Sequence, residues 1–159
     1  MSAPGWRARL FRVELVTAAA LVRRRLLAGM IQRIVGAVGA RVARRRGLTI
    51  EATPAAMASA WRRAFPVPEH HPITATDATT AYAEIHTRCP LRGTGDVEAC
   101  YRLMEYDRAI AAQAGAQFVV LASQATPGVT VCKVALRAAH LPSEDLVPAH
   151  ALVRRSVDR

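Results

Sequence analysis

TTAYAEIHTRCPLRGTGDVEACYRLMEYDRAI, residues 79 to 110, changes its period midway. As far as Thr87 it alternates, with Thr79, Ala81, Ala83, Ile85 and Thr87 set against Thr80, Tyr82, Glu84, His86 and Arg88. A two-residue period belongs to a β-strand whose two faces differ, here with one partly polar face. Cys89-Pro90 ends it, because proline has no N–H to give a ladder. A helix is predicted from about Val97 to Ala114, with Thr94 or Asp96 as its N-cap and Gly115 past its end as a stop. Farther on, Phe118 to Ser123 and Val129 to Arg137 flank Gln124-Ala125-Thr126-Pro127-Gly128, a turn-rich connection that predicts a hairpin. Strand, helix and hairpin in this order predict an antiparallel sheet with a helix inserted between its strands.

The first part of the chain has a different rhythm. From about Leu10 to Arg45 the apolar residues Leu27, Met30, Ile31, Ile34, Val38 and Val42 recur at three- and four-residue steps, which predicts a helix with one covered face. Gly29, Gly36 and Gly39 lower its intrinsic propensity by roughly 1 kcal/mol each relative to Ala and mark breaks or close contacts. Thr53-Pro54 opens a second helix, with Thr as N-cap and Pro in the first turn, running through Trp61 to about Phe65. Pro66, Pro68 and Pro72 stop it, and PVPEHHP, residues 66 to 72, reads as a linker in which His70 and His71 are solvated. The fold class is therefore α+β, with N-terminal helices packed on a small antiparallel sheet. A single domain spans 1–159: a helical half at 1–65, a mixed half at 73–138 that carries the candidate site, and a charged, proline-broken tail at 139–159 that covers an edge or frays.

Composition narrows the function classes. Hydrophobic residues make up 52% of the chain, enough apolar surface to offset the entropy of folding. The formal charge of +10 suits a phosphate-bearing partner, but 21 of the 22 basic residues are arginine, a bias that base composition explains equally well. Aromatic stacking residues are few and no reading motif is present, so no nucleic-acid partner is expected. Arg23 to Arg25 and Arg44 to Arg46 read as solvated collars at the ends of an apolar segment. The run Leu15 to Val22 is closed by arginines rather than by small residues, which argues against a signal peptide, and no uncharged run approaches the roughly 20 residues of a membrane span. Three cysteines, an odd number, argue for free thiols and a cytoplasmic location. The apolar stripe of the first helix offers a surface for homo-oligomerisation or for an anionic membrane.

On the predicted helix, Cys100 and Asp107 are seven residues apart and fall about 20° from each other around the axis, with Met104 between them. An aspartate on a sheet-facing side needs a partner or a function; Arg108 and Arg137 are candidate partners. In the last strand Thr130, Cys132, Val134 and Leu136 point one way, so Cys132 can approach Cys100 and Asp107, while Cys89 closes the preceding strand at the same rim. Gly93-Thr94-Gly95 lacks the further glycine and the lysine of either nucleotide fingerprint, so no nucleotide cofactor is implied. His86, Cys89, Cys100 and Cys132 are suitable zinc ligands in type, yet they include no Cys-x-x-Cys pair, and no metal is expected.

IHTRCPL (85 to 91), EACYRLMEYDRAI (98 to 110) and GVTVCKVAL (128 to 136) follow one another as strand-Cys-Pro, helix with Cys then Asp, and hairpin with Cys. This order resembles the L-2-amino-thiazoline-4-carboxylic acid hydrolase family, over about the last half of the chain. The family often carries an acidic pair before the last cysteine and an aromatic two residues after it; here Gly128-Val129-Thr130-Val131 precede Cys132 and Val134 follows. The resemblance implies a compact domain with helices on an antiparallel sheet and hydrolysis of a cyclic amidine. It also implies relatives that act as cyclases or tailoring enzymes in the biosynthesis of secondary metabolites.

Opening a 2-amino-thiazoline requires a nucleophile at the ring carbon between nitrogen and sulfur and a proton for the departing atom. Cys89 or Cys132 is the candidate nucleophile, with Arg88 or Arg92 lowering the Cys89 pKa. Asp107 is the candidate base or amidinium anchor, and His86 the candidate proton shuttle. Cys100, Met104, Arg88 and Tyr106 are candidate substrate contacts. The expected function is a cofactor-independent small-molecule hydrolase, with a cyclase or a non-catalytic ligand-binding module as alternatives.

Overall fold

A computed structural model describes residues 5 to 24 and 26 to 152. Five helices, α1 (Trp6–Val22), α2 (Ala28–Arg45), α3 (Pro54–Arg63), α4 (Val97–Leu103) and α5 (Glu105–Gln113), accompany four strands, β1 (Ile73–Thr76), β2 (Thr80–Ile85), β3 (Ala116–Ala122) and β4 (Cys132–Ala138). The strands form one sheet in the order β1-β2-β4-β3, every neighbouring pair antiparallel. The α+β class and the helix inserted between strands are as the sequence predicts. Arg25 of the first arginine collar and the tail beyond Leu152 lie outside the described residues.

The sheet's inner face is set by the predicted alternation. Ala81, Ala83 and Ile85 of β2 stand opposite Leu136, Val134 and Cys132 of β4, and all six are buried. Because two of the β2 residues are alanines, α3 lies directly on β2 and β4, bringing Trp61 into the core. α5 covers β3, α2 covers α5, and α1 lies over α2 and α4. On the outer face, the Arg137 guanidinium donates to Thr80 Oγ1 at 2.8 Å and to Asp145 Oδ2 at 2.8 Å, tying the described part of the tail to the sheet.

Local signals placed most of the ends. The Asp96 carboxylate caps α4, accepting from Ala99 N–H at 2.9 Å, and Thr53 caps α3 in the same way at 3.3 Å. Three elements differ from the sequence-based expectation. The first helical stretch is two helices, parted between Val22 and Ala28 beside the arginines. The helix from Val97 is interrupted at Met104. There the Arg108 guanidinium donates to Tyr101 O at 2.5 Å, occupying the carbonyl that a continuous helix would offer to the Glu105 N–H. β1 is an additional strand, a short edge segment without apolar alternation.

The buried face of α2 is also not the stripe of large aliphatics. Met30, Ile34 and Val38 are about half exposed, and the covered residues are Ala28, Ile31, Val35, Gly39 and Ala43. Their four-residue step forms a ridge of mostly small residues, which lets α2 come close to α5. At Gly39 the approach is tightest, since a Cβ there would stand 2.5 Å from Tyr106 O. Gly39→Ala is therefore expected to lose about 1 to 3 kcal/mol of unfolding free energy in urea titration. Gly29→Ala, where a Cβ meets nothing within 4 Å, is expected to be neutral or to gain about 0.5 kcal/mol.

Candidate functional site

The inner sheet face, the α4–α5 junction and the first two helices line a cavity of about 420 Å³ that is partly open to solvent and has the exposed Glu14 of α1 among its lining residues. Phe11, Leu15 and Ala18 of α1 and Ile31, Ile34 and Val35 of α2 line one side. Ile85, Cys89, Cys132 and Gln124 form the sheet side, and Leu103, Met104, Tyr106 and Asp107 come from the helix junction. Phe65 and His71 complete it. The large aliphatics that α2 leaves off its buried ridge are thus partly used as cavity wall.

Asp107 is the buried acid of this space. Neither arginine candidate reaches it: Arg108 pairs with Glu105 at 2.9 Å, and Arg137 pairs with Asp145. Its partner is the Trp61 indole, which donates Nε1–H to Asp107 Oδ1 at 3.1 Å. Burial lifts the carboxyl from its ordinary range to about 7, opposed by the indole hydrogen bond and by the more distant charge of Arg108. Near neutral pH this carboxyl is shared between its acid and its ionised form.

His71 is 3% exposed, not solvated. A short 3-10 turn, Pro68–His70, folds the proline segment back, and His86 N–H donates to His70 O at 2.8 Å. The His71 ring stacks on Phe65 with centroids 4.0 Å apart and meets Trp61 edge-on at 5.4 Å. Its Nδ1 lies 3.3 Å from Val67 O; a carbonyl only accepts, so Nδ1 carries the proton and Nε2 keeps the lone pair. Burial lowers the ring pKa to about 4, which keeps the imidazole neutral at physiological pH.

Gln124 is a buried clamp. Its amide donates to Ile85 O at 3.1 Å and Thr87 O at 3.0 Å and accepts Cys89 N–H at 3.2 Å. Its own backbone N–H donates to Cys132 Sγ at 3.3 Å, so one residue fixes the positions of both cavity thiols. The glycine loop is fastened to the same connection, Gly93 N–H to Gln124 O and Gly95 N–H to Ala125 O, both at 2.8 Å. Both glycines have positive φ, 69° and 75°, which a side chain would resist.

The structure brings Cys89, Cys132, Asp107, Met104 and Tyr106 to the cavity and places the other candidates elsewhere. Cys100 faces Ser123, whose hydroxyl donates to its Sγ at 3.0 Å, and lines a separate cavity of about 220 Å³ with Tyr101 and Arg108. His86 is exposed and pairs with Glu84 at 2.8 Å. Arg88 is exposed on a neighbouring groove. Cys89 is not activated by arginine: burial pushes its thiol up to about 11. The Cys132 thiol is pushed up by its hydrogen bond to Cys100 and by burial, while that same bond, with Ser123, holds Cys100 below the usual thiol range. Burial also raises Tyr106. Among the described residues, no three of His, Cys, Asp and Glu come together as a metal site, and no helix is long and apolar enough to cross a membrane.

Sequence reasoning missed Trp61, His71 and Gln124. Trp61 carried a usable signal, a tryptophan among the alanines of a capped helix. His71 and Gln124 carried none: the Gln124 side chain acquires its role through contacts distant in the chain, and His71 through the fold-back of the proline segment onto Phe65 and Trp61. The chain matches no protein-family model, no curated protein and no solved structure.

The Asp107 shift carries a stability prediction. A carboxyl whose folded pKa is raised supports the fold fully below its unfolded value and loses that support as pH rises through the folded value. Wild-type stability is expected to fall relative to Asp107→Asn between pH 4 and pH 8, by at most about 4 kcal/mol. Melting both proteins across that range checks it, and parallel curves would refute the raised value.

Proposed function

We propose that the cavity is the active site of a cofactor-independent enzyme that opens the ring of a cyclic amidine. That is the chemistry implied by the resemblance to the L-2-amino-thiazoline-4-carboxylic acid hydrolases. The observation that carries the proposal is Asp107, a carboxyl poised near neutrality in a largely apolar cavity and held by the Trp61 indole rather than by a cation. In its ionised form it pairs with an amidinium through charge-assisted hydrogen bonds, and the low-polarity walls strengthen that pairing.

Both cavity thiols are held in the protonated form, so water is the favoured nucleophile rather than a cysteine. Water adds to the ring carbon, whose electrophilicity the Asp107-bound amidinium maintains. The His71 Nε2 lone pair is the candidate acceptor for the water proton, since Nδ1 is committed to Val67 O. The tetrahedral intermediate collapses by breaking the bond to a ring heteroatom, which takes a proton from the imidazolium. Trp61 positions both groups, by its hydrogen bond to Asp107 and its edge contact with His71.

A second proposal rests on the same walls. The mostly aliphatic lining around Asp107 suits intramolecular closure of a protonated imine, with the cavity supplying orientation and the carboxylate the countercharge.

Incubation with L-2-amino-thiazoline-4-carboxylate, followed by mass spectrometry, is the test. Ring opening is expected to rise with pH through about 7 as Asp107 ionises. Turnover is expected to fall at least about 100-fold in Asp107→Asn and to stay within about tenfold in Cys89→Ala and Cys132→Ala. Loss of turnover in a folded cysteine variant would restore a thiol nucleophile. No turnover by the wild type at any pH from 5 to 9 would overturn the hydrolase proposal.

A further inference from the structure

A groove of about 720 Å³ adjoins the apolar cavity, and the two share Phe11, Leu15, His71, Thr87 and Cys89 as common wall. Its character is opposite. Arg9 and Arg12, one turn apart on α1, line it with Arg88 and Arg92, which flank the Cys89-Pro90 turn, and among the described residues no acid lines the groove. Five arginines outside the groove pair with carboxylates, Arg23 with Asp96, Arg63 with Glu51, Arg102 with Glu98, Arg108 with Glu105, and Arg137 with Asp145, and others, such as Arg44 and Arg45, do not. What distinguishes the groove is that four arginines from two parts of the chain converge on one concavity. The four groove guanidinium groups are exposed and pair with no carboxylate of the described residues. Four like charges in one concavity repel one another and concentrate a positive potential, which a bound anion relieves. Guanidinium forks suit the planar or tetrahedral oxygens of carboxylate and phosphate.

We infer that the two spaces form one binding site for an amphipathic small molecule, its carboxylate or phosphate head among Arg9, Arg12, Arg88 and Arg92 and its apolar body in the cavity beside Asp107. This rests on the proposed active site and narrows its substrate: an amidine or imine carried on an apolar frame with an anionic group at its far end. The juxtaposition places a cavity with mostly aliphatic walls directly beside four arginines that have no carboxylate partner among the described residues. An uncharged ligand would leave the arginines uncompensated, and a small polar anion would leave the cavity unfilled.

Titration calorimetry with octanoate, octyl phosphate and octan-1-ol, each as free monomer, tests the inference without requiring turnover. Either anion, or both, is expected to bind at least about tenfold more tightly than octan-1-ol, and the comparison of the two identifies the head group. Arg88→Gln with Arg92→Gln, and separately Arg9→Gln with Arg12→Gln, are expected to weaken the anion about tenfold and leave octan-1-ol unchanged. Arg44→Gln with Arg45→Gln, an equal charge change at exposed positions outside the groove, is expected to change neither. Equal binding of anion and alcohol, insensitivity to the groove variants, or an equal effect of the control pair overturns the inference. So does sedimentation with phosphatidylglycerol vesicles in the absence of binding to either soluble anion, which would assign the charges to a membrane surface. Turnover of the aminothiazoline without anion binding would remove this inference alone, whereas anion binding without turnover would remove the hydrolase proposal alone.

Discussion

One buried amide organises the site. Gln124 sits just past β3, yet its side chain satisfies Ile85 O, Thr87 O and Cys89 N–H, groups at the end of β2 where the ladder has run out. Without it, two carbonyls and an N–H would be buried near an apolar cavity, each costing on the order of 1 to 3 kcal/mol. Because the same residue's backbone reaches Cys132 and the glycine loop, the end of β2, the start of α4 and the start of β4 are held in one arrangement. The cavity is a consequence, since it lies where these ends meet the helices instead of closing on one another.

Asp107 depends on a second buried contact. A carboxyl in an apolar space normally requires a cation to remain ionised, and here the nearest arginines are engaged elsewhere. Trp61 supplies a neutral donor, enough to fix the carboxyl's orientation without neutralising its charge. That is the difference between a structural ion pair and a group that is free to exchange a proton. The thiols around it follow the opposite course, burial keeping Cys89 protonated and the hydrogen bond to Cys100, with burial, keeping Cys132 so. Proton-transfer capacity in this cavity is therefore concentrated in Asp107 and His71.

The legible parts of the fold are those fixed by neighbours in the chain. Asp96 and Thr53 cap helices because each reaches an N–H three residues ahead, and the alternation from Thr80 to Ile85 sets the sheet face because β-geometry has period two. Cys89, Cys132 and Asp107 were brought together by counting positions along such elements. Cys100 does meet Cys132, through a thiol–thiol hydrogen bond, but it lies outside the cavity lining and faces Ser123, because facing is decided by what packs against a helix. The covered face of α2 misled for a related reason: hydrophobicity marks Met30, Ile34 and Val38, whereas close packing selects Gly39 and Ala43. His71 was unreadable because a histidine between prolines has no local signature of burial; only Phe65, Trp61 and the turn at Val67 make it part of the core.

The distribution of charge gives the site a direction. Arginine dominates the basic residues throughout the chain, so arginine content by itself carries no functional information. Placement does carry it. Arg9 and Arg12 of α1 and Arg88 and Arg92 beside the Cys89-Pro90 turn come from two distant parts of the chain to line one groove, and none of the four has a carboxylate partner among the described residues. The same concavity borders the buried carboxyl's cavity, and this sets an arginine-lined groove beside a largely apolar interior in which Asp107 is the buried acid and Glu14 of α1 an exposed one. For the proposed amphipathic ligand, that arrangement would present its cationic or basic end to Asp107 and leave its anionic end among the arginines, so that electrostatics would orient it before close contacts form.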